Sequence, residues 1–148
     1  MFGTWEELEN SIINCQKCKL CKTRQNIVFG TGNKNAKIMF IGEGPGADED
    51  KQGEPFVGRA GKLMNMAFQM LGIKREEVYI ANIVKCRPPG NRNPEEDEAL
   101  ACMDYLRNQV ILVKPEIIVL LRKCRIKTYS RKRIWNNSYK RKNNRKER

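Results

Sequence analysis

Three cysteines stand close together in Cys15-Gln-Lys-Cys18-Lys-Leu-Cys21, two overlapping C-x2-C pairs, and three more follow at Cys86, Cys102 and Cys124. One C-x2-C pair can clamp a single metal ion or one corner of a cluster. The opening MFGTWEELEN has neither a basic stretch nor an apolar core, so no secretory signal is read and the cytoplasm is the expected compartment. Thiols stay reduced there, and metal ligation or plain core packing competes better than a disulfide framework. Histidine is absent from the 148 residues. Four thiolates would therefore suit either a tetrahedral zinc ion or a [4Fe–4S] cluster, and the spacing does not choose. Cys102 reads equally as a small core residue beside Ala99 and Leu106. The same lack of imidazole excludes Ser-His-Asp triads, Cys-His pairs and histidine-bound zinc.

A second set of candidates is glycine-rich. Gly42-Glu43-Gly44-Pro45-Gly46 follows an apolar run and would bring main-chain amides near an anion or a polar ring, or simply make a tight turn. Pro45 breaks the dinucleotide fingerprint and no Walker lysine is present. Asp48-Glu49-Asp50 adds three carboxylates, read as lying on the same loop. Pro55-Phe56-Val57-Gly58 offers an aromatic between constraining residues, as a ligand platform or a core plug. Asn82 ends a second apolar run, where parallel sheets place ligand groups and where turn residues also fall.

These residues need a scaffold. Thr4-Trp5-Glu6-Glu7 is a capping box, followed by Trp5, Leu8 and Ile12 at helical spacing. Residues 37–42, 78–84 and 117–121 read as buried strands. Ala60, Leu63, Met64, Ala67 and Leu71 form a predicted apolar helix face closed by Gly72. Asn93 and Pro94 mark another helix start, with acids at 95–98 suiting its dipole and Ala99, Met103, Leu106 and Val110 as its stripe. Alternating strands and helices predict an α/β fold with a parallel sheet. No apolar run approaches the roughly 20 residues that cross a membrane.

The net charge of +12 is not spread along the chain. Thirteen of the 29 Lys and Arg and only one of the 17 acids fall in residues 122–148, so residues 1–121 carry 16 of each. The chain divides into an α/β domain over 1–121 and a basic, low-complexity tail over 122–148. Such a tail reads as disordered, as a nucleic-acid-binding arm, or as the out-of-frame translation of an A-rich gene.

From about Leu8 to Leu121 the chain resembles the family 4, iron–sulfur type uracil-DNA glycosylases. The resemblance rests on Cys15-x2-Cys18, Val28-Phe29-Gly30, residues 37–46, Gly53-Glu54-Pro55-Phe56-Val57-Gly58-Arg59-Ala60-Gly61, residues 79–89, Asn91-Arg92 and Cys102. It implies an αβα sandwich around a four-stranded parallel sheet and a [4Fe–4S] cluster remote from the chemistry. By that resemblance Cys15, Cys18, Cys86 and Cys102 match the cluster ligands, leaving Cys21 outside the set. Gly42 and Gly44 belong to the first catalytic motif, Glu43 and Glu49 match its acidic positions, Phe56 the stacking aromatic, and Asn82 the amide that reads uracil. The implied partner is uracil-containing DNA and the implied role is to start base-excision repair; no protein partner is implied.

The family also carries a His-Pro loop near its C-terminus, which this histidine-free sequence cannot contain. Its last strand and closing helices are likewise expected to be missing after Leu121. Full activity is therefore expected to be impaired. Two other readings stand beside it: a non-catalytic DNA-binding iron–sulfur module, and an inactive fragment of an interrupted gene.

Overall fold

The computed structural model describes residues 2–121. Cys124 and the expectations for the basic tail lie outside them. Helix α1 (Trp5–Ile12) starts where the capping box predicts, with the Glu7 amide donating to Thr4 Oγ1 at 3.2 Å and the Thr4 and Gly3 amides to Glu7 Oε2. The strands are β1 (Thr31–Gly32), β2 (Ile38–Gly42), β3 (Tyr79–Asn82) and β4 (Ile117–Leu120), ordered β1-β3-β2-β4. β2 pairs in parallel with β3 and β4, whereas β1 runs antiparallel to β3. The sheet is thus mixed, which corrects the expectation of a wholly parallel one. A two-residue strand is too short to carry a hydrophobic pattern, so β1 left no trace in the sequence.

Helices α2 (Ala47–Gln52), α3 (Arg59–Leu71) and α4 (Glu96–Val113) complete three layers. α3 packs Met64 and Phe68 on Phe40 and Ile80, and α4 packs Met103 and Leu106 on Met39, Ile41 and Tyr79 across the sheet. Leu8 and Ile12 of α1 join the second layer against Tyr105 of α4. Of the face expected for α3, Met64 turns inward, but Leu63 and Leu71 are 68% and 71% exposed and Phe68, outside that face, is buried in their place. Apolar residues occur on both sides of this helix. Its inward face is decided by what the sheet offers, here the Phe40 ring 4.9 Å from that of Phe68.

Two boundaries also moved. Asp48, Glu49 and Asp50 form the first turn of α2 instead of a loop, and α4 is capped at Glu95 rather than Asn93. Asp50 is buried because it accepts the Gln25 and Asn26 amides, pinning the segment after the first three cysteines. Among the described residues no helix is long and apolar enough to cross a membrane.

Candidate active site

The chain leaves β2 to form β3 on one side and later returns to form β4 on the other. Connections therefore diverge at the C-terminal end of β2, the place where open α/β sheets bind ligands. Gly42 and Asn82 are register partners there, at the ends of β2 and β3. The pairing continues past both strands, with Ile83 donating to the Gly42 carbonyl at 2.9 Å and Val84 to that of Glu43 at 3.1 Å. Gly42 is required by close approach: a Cβ there would lie 2.6 Å from Phe56 Cζ and overlap Asn82 Oδ1. Gly42, Phe56 and Asn82 therefore line one small space. Gly44 abuts Val84 in the same way, where a Cβ would stand 2.7 Å from its methyl.

Phe56 adopts φ 53°, a left-handed conformation that costs a non-glycine residue on the order of 1 kcal/mol. Its neighbours hold it there. Glu49 Oε1 accepts the Val57 and Gly58 amides at 3.0 and 2.8 Å, while Arg75 donates to the Pro55 carbonyl at 2.6 Å. Gly61 on α3 lies under the Phe56 carbonyl, leaving no room for a side chain. The second Glu49 oxygen accepts the Gly46 amide, so this carboxylate is engaged on both sides by main chain.

Glu43 differs. Its Oε1 and Asn82 Oδ1 are buried atoms without a hydrogen-bond partner among the described residues. Buried acceptors left unpaired cost about 1–3 kcal/mol each and are rare in native folds. Two of them, at the ends of adjacent parallel strands, suit a ligand that brings its own donors.

The cysteines gather at a second place. Cys15 follows α1, Cys18 opens a 3-10 turn (Lys19–Lys22), Cys86 follows β3 and Cys102 lies on α4. Cys18, Cys86 and Cys102 share an apolar cluster with Leu20, Val84 and Ala99, and Cys15 packs in the adjoining one with Tyr105. All of these thiols are free, as is Cys21. Burial pushes the thiols of Cys18 and Cys86 up, and that of Cys102 up to about 11. Arg24 opposes this at Cys86, its Nη1 donating to the sulfur at 3.2 Å. Among the described residues no three Cys, Asp or Glu side chains are grouped so as to hold a metal ion. The thiols are neighbours without forming a ready-made single-ion cage.

Sequence reading missed the polar residues that support these places. Arg75, Arg24 and Gln109 reach these places across 20 or more residues, and Lys85 joins Asn82, three residues back, to Gln109, 24 residues on, so no local spacing marks the set. Lys85 had one signal, a lone lysine directly after an apolar strand. Burial lowers its amine to about 7.

Glycine, an aromatic ring and an unpaired carboxamide thus meet at the ends of two parallel strands. Residues 29–144 match the family model for the uracil DNA glycosylase superfamily, and the chain belongs to that superfamily. It is similar to the type-4 uracil-DNA glycosylases of Sulfurisphaera tokodaii (53% identical over 117 residues, 78% of this chain and 53% of the relative). The same holds for those of Saccharolobus solfataricus (55% over 115 residues, 77% and 53%) and Archaeoglobus fulgidus (49% over 116 residues, 78% and 58%). The chain spans a little over half the length of these relatives.

Proposed function

We propose that the protein is a uracil-DNA glycosylase, hydrolysing the N-glycosidic bond of a uracil flipped out of DNA to begin base-excision repair. The observation that carries this reading is the unpaired, buried Asn82 Oδ1 between Gly42 and the Phe56 ring. Uracil offers an N3–H donor and an O4 acceptor, which an Asn82 carboxamide complements with one acceptor and one donor. Cytosine offers the reverse pair and leaves buried groups unpaired. Phe56 supplies the stacking face for the extruded base.

Bond cleavage builds positive charge on the sugar and negative charge on the departing base. Glu43 is the carboxylate better placed to orient water or stabilise the sugar cation, because Glu49 is already saturated by the Gly46, Val57 and Gly58 amides. Glu49 acts by holding the loop that carries Phe56. Main-chain amides of the glycine loop around Gly42 and Gly44 help to stabilise the leaving base.

Cys15, Cys18, Cys86 and Cys102 are the residues that would hold a [4Fe–4S] cluster. The donor set fits: four free thiols from three segments, partly buried, with Arg24 offsetting their negative charge when they are ligated. Ligation requires the thiols to lose their protons to solvent as the metal binds, and burial makes that harder at Cys18, Cys86 and Cys102. When bound, the cluster supplies a structural tie and no redox step. A thiolate zinc site is the alternative that metal analysis separates.

The test uses the full chain, reconstituted anaerobically with iron and sulfide, on single- and double-stranded oligonucleotides carrying one uracil. Alkali-labile strand breaks that disappear in Asn82→Ala and on thymine- or cytosine-bearing controls support the activity. A folded protein that binds all these oligonucleotides alike, with steep salt dependence and no uracil release, overturns it in favour of a DNA-binding module.

A further inference from the structure

Against the main chain of Asn82 lies a buried polar chain that the proposed chemistry does not use. Lys85 is wholly buried, yet it carries an amine into the interior. A methionine would fill similar space without the cost of desolvating that amine. Its Nζ donates to two acceptors, the Asn82 carbonyl at 2.8 Å and Gln109 Oε1 at 2.6 Å. Gln109 is also fully buried, and its Nε2 donates to the Phe29 carbonyl at 2.8 Å and Tyr79 Oη at 3.2 Å. The side chain of Gln109 thus links α4 to the segment before β1 and to the start of β3.

The consequence lies in the peptide unit that Lys85 touches. The Asn82 carbonyl and the Ile83 amide belong to one peptide group, and that amide donates to the Gly42 carbonyl at 2.9 Å. A donor on the carbonyl end polarises the group and strengthens the bond made by its amide end. The run from Lys85 through the Asn82–Ile83 peptide to Gly42 therefore ties together the two residues whose separation sets the width of the pocket floor.

We propose that Lys85, held by Gln109, is a positioning residue that fixes the Asn82 main chain against Gly42 and thereby sets the preference for uracil over cytosine without touching the base. This rests on the uracil-DNA glycosylase reading above. An Asn82 carboxamide discriminates between the two bases only while its planar edge is held at one distance and angle, and displacements near 1 Å in such a site cost on the order of a hundredfold in rate.

The experiment compares the reconstituted full chain with Lys85→Met and Gln109→Leu. It measures single-turnover uracil release and the affinity for oligonucleotides carrying 2′-fluoro-2′-deoxyuridine, whose glycosidic bond resists cleavage, against the same strand with cytosine. Thermal melting and iron–sulfur absorption report folding. The expected result is a tenfold or greater fall in release and in uracil-over-cytosine preference, with cytosine-strand affinity within twofold of the parent. In an Asn82→Ala background, Lys85→Met should add little further loss, because its effect passes through Asn82; a merely structural role would add fully. Should Lys85→Met fail to fold, Gln109→Leu reads the same prediction. A parent that releases uracil or prefers the analogue, paired with variants that match it, overturns the positioning role alone. A folded parent that does neither overturns the glycosylase reading and this proposal with it.

Discussion

At the scale of single residues, the pocket is defined by an absence of side chain at one position and an unpaired atom at another. Gly42→Ala would put a methyl 2.6 Å from the Phe56 ring and against Asn82 Oδ1, displacing the two side chains proposed to hold uracil. Uracil release is expected to fall by about a hundredfold or more, since a shift near 1 Å in a reacting group suffices for that. The overpacking should cost roughly 1–3 kcal/mol of stability, read from denaturant unfolding. Glu43 and Glu49 separate on the same logic of occupancy. Glu43→Gln is expected to reduce the rate with little effect on oligonucleotide affinity. Glu49→Gln replaces an acceptor with a donor facing amide hydrogens, which should loosen the Phe56 turn and raise KM as well. Steady-state kinetics on a uracil oligonucleotide distinguishes these two patterns.

At the scale of elements, α4 meets the preceding loop through Glu98 and Arg92, paired at 2.7 and 2.9 Å, with Glu98 buried and also accepting the Glu95 amide. The Arg92 guanidinium, aided by that amide and Lys19, holds the Glu98 carboxyl below the usual carboxylate range. A carboxyl depressed in the folded state stabilises the fold above its unfolded pKa, and the contribution is lost as pH falls through the folded value. Thermal midpoints should therefore be flat down to about pH 4.5 for this group and drop below it. Glu98→Gln is expected to lower the midpoint at pH 7 and flatten that acid limb, as followed by circular dichroism. Within the sheet, Ile80 is fully buried against α3, so Ile80→Ala should cost ~2–5 kcal/mol in denaturant unfolding.

At the scale of the whole molecule, the cysteines lie where the segment after α1 meets the end of β3 and α4. Residues 13–24 form short turns fixed to the domain by buried Leu20, by Arg24 on Cys86 and by Lys19 at Glu95, while Lys17, Lys19 and Lys22 are exposed. If Cys15 and Cys18 are tied to Cys86 and Cys102 through a cluster, chelating the iron should lower the melting midpoint. It should also open this segment to trypsin at those lysines, while α3 and the parallel strands stay protected. A digest unchanged by iron removal would argue that packing alone holds the segment. Arg24→Gln should speed iron loss in the same assay, since its guanidinium contacts the Cys86 sulfur.

How much of this was legible beforehand depends on how local each signal is. The capping box of α1, the Gly72 end of α3, three of the four strands and the buried stripe of α4 follow from short-range periodicity and turn chemistry, although β4 leaves Ile117 and Leu120 exposed where a buried strand was expected. The candidates Gly42, Phe56 and Asn82 were readable too, because glycine, an aromatic and a carboxamide at strand ends are few and conspicuous. Their meeting in one space depends on parallel register between β2 and β3, a pairing of segments about forty residues apart. Tertiary structure alone decided that Glu49 is spent on main-chain amides while Glu43 is not, that Phe68 and not Leu63 or Leu71 faces inward beside Met64, and that Lys85 reaches Asn82 and Gln109. The partners of Glu49 lie three to nine residues away and Lys85 reaches back three residues to Asn82, but which donors and acceptors meet and stay buried is set by strands and helices packed from distant parts of the chain.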